Sequence, residues 1–416
     1  MTRQYAITQD RVQTAWKRVK RNQGAAGIDG VSIEDFEKDV ESNLYKIWNR
    51  MTSGSYFPPP VRIVEIPKSS GGKRKLGIPT VADRIAQTVV KMELEPALEK
   101  IFHCNSYGYR PGRQQRDALS VARKRCWQYD WAVEIDIKGY FDNIDHELLM
   151  GLLSEHTKQK WILLYVQRWL KAGFCGPDST TPISSDKGSP QGSVISPLLS
   201  NLFLHYVFDT WMEKEQTNRP FERFADDILI HCSTYEDALA VMTATAARLT
   251  EWKLEMNKDK SRIVYCKDDK RDGDYKTITL QFLGFEFKPR IARNSRDGSL
   301  FVGYLPAIGR KGRLGIYEQI REWELMKHTQ ETLEILSQRH NPQIRGWFNY
   351  FGMFYGSALE PLRDHIDETL VRWAKRKYKR LHTSLQAREW LKRIKTKQPK
   401  LFAHWQARNQ SVIRAV

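Results

Sequence analysis

Cysteine is scarce and scattered. The five residues (Cys104, Cys126, Cys175, Cys232, Cys266) are odd in number and form no Cys-x-x-Cys pair, which excludes a secreted disulfide framework and a structural zinc site and predicts a reducing, cytoplasmic setting. Long apolar runs are missing too. The greasiest stretch, Val194 to Phe208, is broken by Pro197, Asn201 and His205, and the opening MTRQYAITQDRVQ has no apolar core; neither a membrane span nor a secretion signal is expected. Internal repeats and low-complexity tracts are absent. Acid is in short supply: 49 Asp and Glu stand against 67 Lys and Arg, a net charge of +18, and a field of that sign attracts polyanions, nucleic acid first among them. Between Val371 and Lys400 twelve basic residues face one acidic residue, interleaved with Trp373, Tyr378 and Trp390. Such aromatics are predicted to stack on bases while the cations neutralise phosphates.

What is present suits a folded protein. Hydrophobic residues make up 41% and charged residues 28% of 416 positions, enough for two to three domains or one large α+β unit. The chain to about Met51 reads as helical around a Gly-rich loop, GAAGIDGVS. VRIVEIP and KLGIP read as a hairpin carrying Arg62, Lys68, Lys73, Arg74 and Lys75. A helix from Val81 leads to NSYGYRPGRQQR, a Gly/Pro loop with Arg110 and Arg113 that runs into another helix. WAVEIDIKGYF is extended, with Asp136 near its end, and Asp145 is placed to cap the helix that follows. The polar loop DKGSPQGS then feeds an apolar helix. Later come a helix from Tyr235 to Trp252, a basic turn NKDKS, and the strands RIVYC and TLQFLGFEF. From Ile316 onward only helices are expected, after a Gly- and Arg-rich linker between Pro289 and Gly312.

In FERFADDILIHC, Asp226 and Asp227 stand side by side between two apolar runs. Two-residue hairpin turns favour Asn-Gly or Asp-Gly, so turn geometry does not ask for the second Asp. Two carboxylates about 4 Å apart repel by roughly 4 kcal/mol at an effective dielectric near 20, unless a cation lies between them or one is protonated. If the strand ending at Asp136 pairs with this one, three carboxylates meet at one sheet edge, a donor set suited to magnesium and to phosphoryl transfer. Hydrolysis and polymerisation both stay open on these grounds.

The surrounding stretches narrow the choice. GAAGIDG, RIVEIPKSSGGKRKLGIPTVADR, NSYGYRPGR, EIDIKGYFDNIDHELL, GSPQGSVISPLLSNLFL, RFADDILI, LEMNKDKSRIV, FLGFEF and NPQIRGWFNYF occur in that order. Together they resemble a reverse transcriptase of the group II intron-encoded kind, a maturase. The resemblance implies an α+β right-hand polymerase. Residues 1–50 would be an N-terminal extension, 51–290 fingers and palm, 291–312 a linker, 313–380 an all-helical thumb or maturase X domain, and 381–416 a basic DNA-binding-like tail.

Position by position, the resemblance makes Asp136, Asp226 and Asp227 the catalytic triad. Asp136 and Asp226, with the Ile137 carbonyl, would hold two Mg2+ ions. Lys68 and Arg74 would hold the triphosphate of an incoming dNTP, with Lys260 approaching and Gln191 lining the pocket, while Phe141 would exclude a 2′-OH and so select DNA synthesis. Arg62, Arg110, Arg113, Phe224, Gly284, Arg345 and Trp347 would touch primer, template or intron RNA, although Trp347 also suits a thumb core. The family usually has Tyr at the position of Phe224, so a hydroxyl near the primer end is missing. With no Cys after Cys266 and no His/Asn/Cys cluster beyond the thumb, the family's optional endonuclease is not expected. The activity implied is RNA-directed DNA synthesis with help to group II intron splicing and mobility; its partners would be an RNA template and primer, intron RNA, a DNA target and dNTPs. A host-adopted relative in DNA repair or phage defence, and an RNA-binding splicing cofactor with an idle polymerase, are the alternatives. Oligomeric state is left open.

Overall fold

The computed structural model describes residues 4–67, 73–176, 183, 186–294 and 297–406. The chain divides into two compact units, residues 1–121 with 133–262 and residues 122–132 with 263–416. Among the described residues no helix is long and apolar enough to cross a membrane.

The first unit opens with helices α1 (Gln9–Asn22), α2 (Ile33–Glu37) and α3 (Val40–Ser53). Helix α1 buries Val12, Ala15, Trp16 and Val19, an apolar stripe at helical spacing, and Thr8 caps it. The Gly-rich loop between α1 and α2 is pinned from outside: the Arg84 guanidinium donates to the carbonyls of Gln23 (3.3 Å) and Ala25 (2.7 Å). A Cβ on Gly27 would come within 2.6 Å of the Thr80 backbone, which explains glycine there. Strands β1 (Val61–Pro67) and β2 (Lys73–Ile78) pair antiparallel, followed by α4 (Val81–Leu98) and α5 (Gln115–Gln128). Next come β3 (Trp131–Ile135), the short α6 (Tyr140–Asn143), α7 (His146–His156), α8 (Lys160–Lys171) and β4 (Phe174–Cys175), which adds parallel to β1. As its position predicts, Asp145 caps α7 by accepting from Leu148 N (3.0 Å). Helix α9 (Ser196–Leu204) runs through a π-helical turn, His205–Asp209, into α10 (Thr210–Glu215). Strands β5 (Phe221–Phe224) and β6 (Asp227–Cys232) and helix α11 (Tyr235–Glu251) follow; β7 (Arg262–Tyr265) starts at the unit's last residue, and the strand order is β5–β6–β3–β7.

In the second unit β8 (Leu280–Phe282), β9 (Phe285–Arg293) and β10 (Leu300–Ile308) form an antiparallel sheet. Helices α12 (Arg310–Glu322), α13 (Leu333–Phe351), α14 (Glu360–Lys377), α15 (Ser384–Lys397) and the short α16 (Ala403–Gln406) follow. They close around a core that includes Ile320, Leu336, Ile344, Leu362, Ile366 and Trp373.

Three expectations need correction here. TLQFLGFEF is two strands, because Leu283 (φ 50) and Gly284 (φ 81) turn the chain back between β8 and β9. Residues 291–312 are no linker: β9 and β10 pair over nine residues from Leu300↔Arg293 to Ile308↔Phe285, and the boundary between units lies earlier, at 262. The aromatics of the basic stretch are core. Trp373 is completely buried with its indole N–H on the His328 carbonyl, Trp390 is buried, and Tyr378 packs beside both. Helical amphipathicity turns these rings inward and leaves most of the cations outside.

Candidate active site

The hairpin β5–β6 turns through Ala225 and Asp226, with Phe224 opposite Asp227. Ala225 sits at φ 57, the left-handed conformation that such tight hairpins require and that costs a residue with a Cβ on the order of 1 kcal/mol. Its surroundings hold it there. Arg223 donates to the Ala225 carbonyl (3.1 Å) and the Asn201 Oδ1 (3.0 Å), and makes a two-pronged bond to Asp209 (2.7 and 2.6 Å). Arg223 and Asp209 have no solvent exposure. Burial pushes the Asp209 carboxyl up, but the Arg223 guanidinium outweighs it and holds the group below its ordinary value. On the other side, Asn105 O accepts from Arg223 N (2.9 Å) and Arg223 O from Tyr107 N (2.8 Å). Gly108 then lies so close that a Cβ would meet Ala225 N at 2.3 Å. The next residue, Tyr109, is also left-handed (φ 58), and its exposed ring stands 6.3 Å from that of Phe224.

Strand β3, the sheet neighbour of β6, delivers Asp136. The turn NKDKS wraps it: Asn257 Nδ2 donates to Asp136 Oδ2 (2.9 Å), Asn257 N to Asp136 O (2.8 Å), and Asp136 N to Ser261 Oγ (3.1 Å). Lys260 Nζ stands 3.4 Å from Asp136 Oδ2 with most of its side chain exposed. Glu134, two residues earlier on the strand, adds a fourth acid that is ion-paired to Arg262. The outcome registers at Asp227. Desolvation first, then the negative charges of Asp226, Asp136 and Glu134, lift its carboxyl to about 7, with Lys260 opposing. The residue as a whole keeps an exposed surface, so the desolvation reflects protein crowded around the carboxyl rather than an enclosed cavity. A knot of acids offset only in part by Lys260 and Arg262 suits a hard cation by charge and by donor type. Among the described residues no three His, Cys, Asp or Glu side chains form a ready-made metal cage; a hard cation here would draw part of its oxygen shell from water or substrate phosphate.

The other candidates divide. Ile137 is buried just after Asp136. Lys68 lies outside the described residues, and Arg74 is described only by its backbone in β2. Arg62 lies on β1 opposite Ile78. Lys73 pairs with Glu65 (2.6 Å), whereas Lys75 joins Gln191, Asp142 and Lys187 around a cavity of about 330 Å³. Phe141 is buried and does not line this cavity, and its carbonyl accepts from Ser189 N (2.7 Å). The loop carrying Gln191 is fixed by a relay that the sequence did not suggest. Gln87 Oε1 accepts from Ser193 Oγ (2.6 Å) and Val194 N (2.8 Å), while Gln87 Nε2 donates to buried Asp83 (2.8 Å). Tyr56 and Trp169 also donate to Asp83. Desolvation raises the Asp83 carboxyl to about 6 against these hydrogen bonds.

Arg110 is a correction. It is buried, and it spends its guanidinium on Glu99 (3.0 Å) and on the carbonyls of His103 and Ser106 (both 2.7 Å), so it braces the loop instead of facing a ligand. Arg113 is exposed near the Tyr107 ring. In the second unit Gly284 occupies the β8–β9 turn, Arg345 is exposed on α13, and half-buried Trp347 stacks on Trp323 at 5.8 Å.

Residues 66–287 match the family described as reverse transcriptase (RNA-dependent DNA polymerase), and residues 314–394 match the group II intron, maturase-specific domain. The chain is 35% identical over 202 residues to the group II intron-encoded protein LtrA of Lactococcus lactis subsp. cremoris, covering 48% of this chain and 33% of that one. It is 36% identical over 193 residues to protein YkfC of Escherichia coli K12, covering 45% and 50%. Against the putative COX1/OXI3 intron 1 protein of Saccharomyces cerevisiae it is 31% identical over 206 residues, covering 49% and 24%. The matched region thus spans half or less of each of these relatives. With the polymerase-type model covering more than half of the sequence and the maturase model following it, the chain belongs to the reverse transcriptase family and carries a group II intron maturase domain.

Proposed function

We propose that this protein is an RNA-directed DNA polymerase that also binds group II intron RNA to assist splicing and mobility. The observation that carries the reading is the convergence on Asp227, whose carboxyl feels Asp226 and Asp136 although some 90 residues separate the strands in sequence. Asp136 and Asp226, with the Ile137 carbonyl, would hold two magnesium ions. Bound there, the ions would neutralise charge on the attacking 3′ oxygen and on the transferring phosphate.

The protein's own part is positioning. Arg223 and Gly108 fix the turn that presents Asp226, and Asn257 and Ser261 orient Asp136. Lys260 masks Asp136 and would swing to the triphosphate as the acid engages a cation. Lys68 and Arg74 would grip the same triphosphate, Gln191 would line its pocket, and Phe141 would read the sugar. Phe224, Arg62, Arg113 and Gly284 would meet template or primer, and Arg345 with the exposed edge of Trp347 would meet intron RNA. DNA target and dNTPs complete the partners.

The test is primer extension on an RNA template with dNTPs and magnesium, wild type against Asp226→Ala. Extension by the wild type and none by the variant, with matching circular dichroism, is expected. A wild type that extends nothing, or a variant that extends equally well, overturns the reading.

A further inference from the structure

An open cavity of about 510 Å³ lies wholly within the second unit, between β9, the first turn of α12 and the turn entering α14. Its charge is one-sided. Glu286, Lys288 and Arg290 line it from alternate positions of β9, hence from one face of that strand, and Arg310 and Arg313 line it from one turn of α12. The single acid is shared, 3.3 Å from Lys288 and 3.7 Å from Arg290. Arg290 is held in place: it donates to the carbonyls of Leu305 (3.2 Å) and Glu286 (3.3 Å) and lies 5.4 Å from the ring centre of Tyr355, whose hydroxyl donates to Ile291 O (2.9 Å). The side chains of Arg310 and Arg313 have no hydrogen-bond or ion-pair partner among the described residues. Burial first, and Arg313 to a lesser degree, hold the Arg290 guanidinium below its ordinary value, with Glu286 and Tyr355 opposing.

Four cations around one carboxylate, two of them unpartnered, repel one another in the free protein. An anion would reverse that sign. Guanidinium forks match the paired oxygens of phosphate, and a rigid, partly desolvated fork loses little freedom on binding. We propose that this cavity is a phosphate-binding site, separate from the carboxylate centre, that takes adjacent phosphates of a nucleic-acid strand. Only the source of the phosphates rests on the polymerase reading; the charge argument stands without it. Glu286 acts as the counterweight: it keeps Lys288 and Arg290 in place and opposes the ligand.

The experiment measures binding of a labelled single-stranded RNA by anisotropy across 50 to 300 mM salt, in the Asp226→Ala background so that catalysis plays no part. Arg310→Gln with Arg313→Gln removes cations that hold nothing in the fold. This pair should weaken binding about tenfold at 100 mM salt and reduce the slope of log K against log salt by about 1.4, near 0.7 for each lost phosphate contact. Glu286→Gln should tighten binding by about threefold. A matched loss of exposed charge in the first unit, Lys46→Gln with Lys214→Gln, should leave the slope unchanged. Inorganic pyrophosphate is the competitor that separates sources: if it displaces RNA from the parent but not from the arginine pair, the site takes free phosphates as well; if it fails on both, it takes backbone alone. The proposal is overturned if the arginine pair behaves as the lysine pair does, or if Glu286→Gln weakens binding. A parent protein that binds no RNA at all would sink the polymerase reading with it, whereas normal binding with indifferent cavity variants sinks the cavity alone.

Discussion

Replacing Arg223 by Met tests whether the buried pair beneath the hairpin governs the catalytic geometry. The substitution leaves the Asp209 carboxylate without solvent or guanidinium, with His205 Nδ1 at 3.8 Å as its remaining ionisable neighbour, and deletes the donor to Ala225 O and Asn201 Oδ1. Stranding one partner of a buried ion pair costs about 3–5 kcal/mol. For a unit of roughly 250 residues that lowers the melting temperature by about 10 °C. Activity should fall further than stability. Freed of its anchor, the left-handed Ala225 relaxes, and a displacement of about 1 Å at Asp226 is worth about a hundredfold in rate. Arg223→Met combined with Asp209→Leu separates the two effects. An apolar pair removes the stranded charge and should recover much of the stability, while the Ala225 carbonyl still lacks its donor and extension stays slow. Thermal melts and single-turnover primer extension read both quantities. A single variant that melts within about 2 °C of wild type, or a double variant that regains full rate, refutes the reasoning.

Three further outcomes can be measured. Phe141→Val should admit ribonucleotides, measured as the ratio of rNTP to dNTP incorporation; an unchanged ratio removes Phe141 from the sugar pocket. Asp83 has its folded carboxyl raised from 3.8 to about 6, so the unfolded chain loses this proton first and stability falls by about 3 kcal/mol as pH climbs from about 4 to 6. Asp83→Asn should abolish that slope, so the difference between the two proteins in urea titrations must vary over this interval; a constant difference contradicts it. Gly108→Ala places a methyl 2.3 Å from Ala225 N and should depress primer extension at least tenfold even where the protein still folds, while Gly151→Ala, with open space around it, should change nothing.

Local chemistry made much of the molecule readable beforehand. Alternating apolar residues marked β1, apolar runs marked β3 and β6, the oddity of a second Asp marked the turn, and Asp145 before an apolar run marked a helix start. What stayed hidden depends on partners distant in sequence. Arg223 carries no signal of its own in the sequence, because the acid that neutralises it, Asp209, lies fourteen residues earlier on another element. The resemblance made Arg110 a ligand contact, and its carbonyl partners leave no trace in composition. Glu134 had a signal, since i and i+2 on a strand share a face, and VEID therefore sets it beside Asp136. The supposed linker had one as well. Asp297-Gly298 between two alternating stretches is a hairpin signature, obscured by the Gly and Arg content around it.

The π-helical turn His205–Asp209 carries one residue more than an α-helical path between the same ends would need. Each residue of a regular helix advances the side-chain direction by about 100°, so the extra position aims Asp209 at the guanidinium under the active hairpin. This stretch should therefore tolerate changes of side chain far better than changes of length. Removing a single residue would restore an ordinary helix and, in doing so, swing the acid away and let go of the turn some fifteen residues downstream.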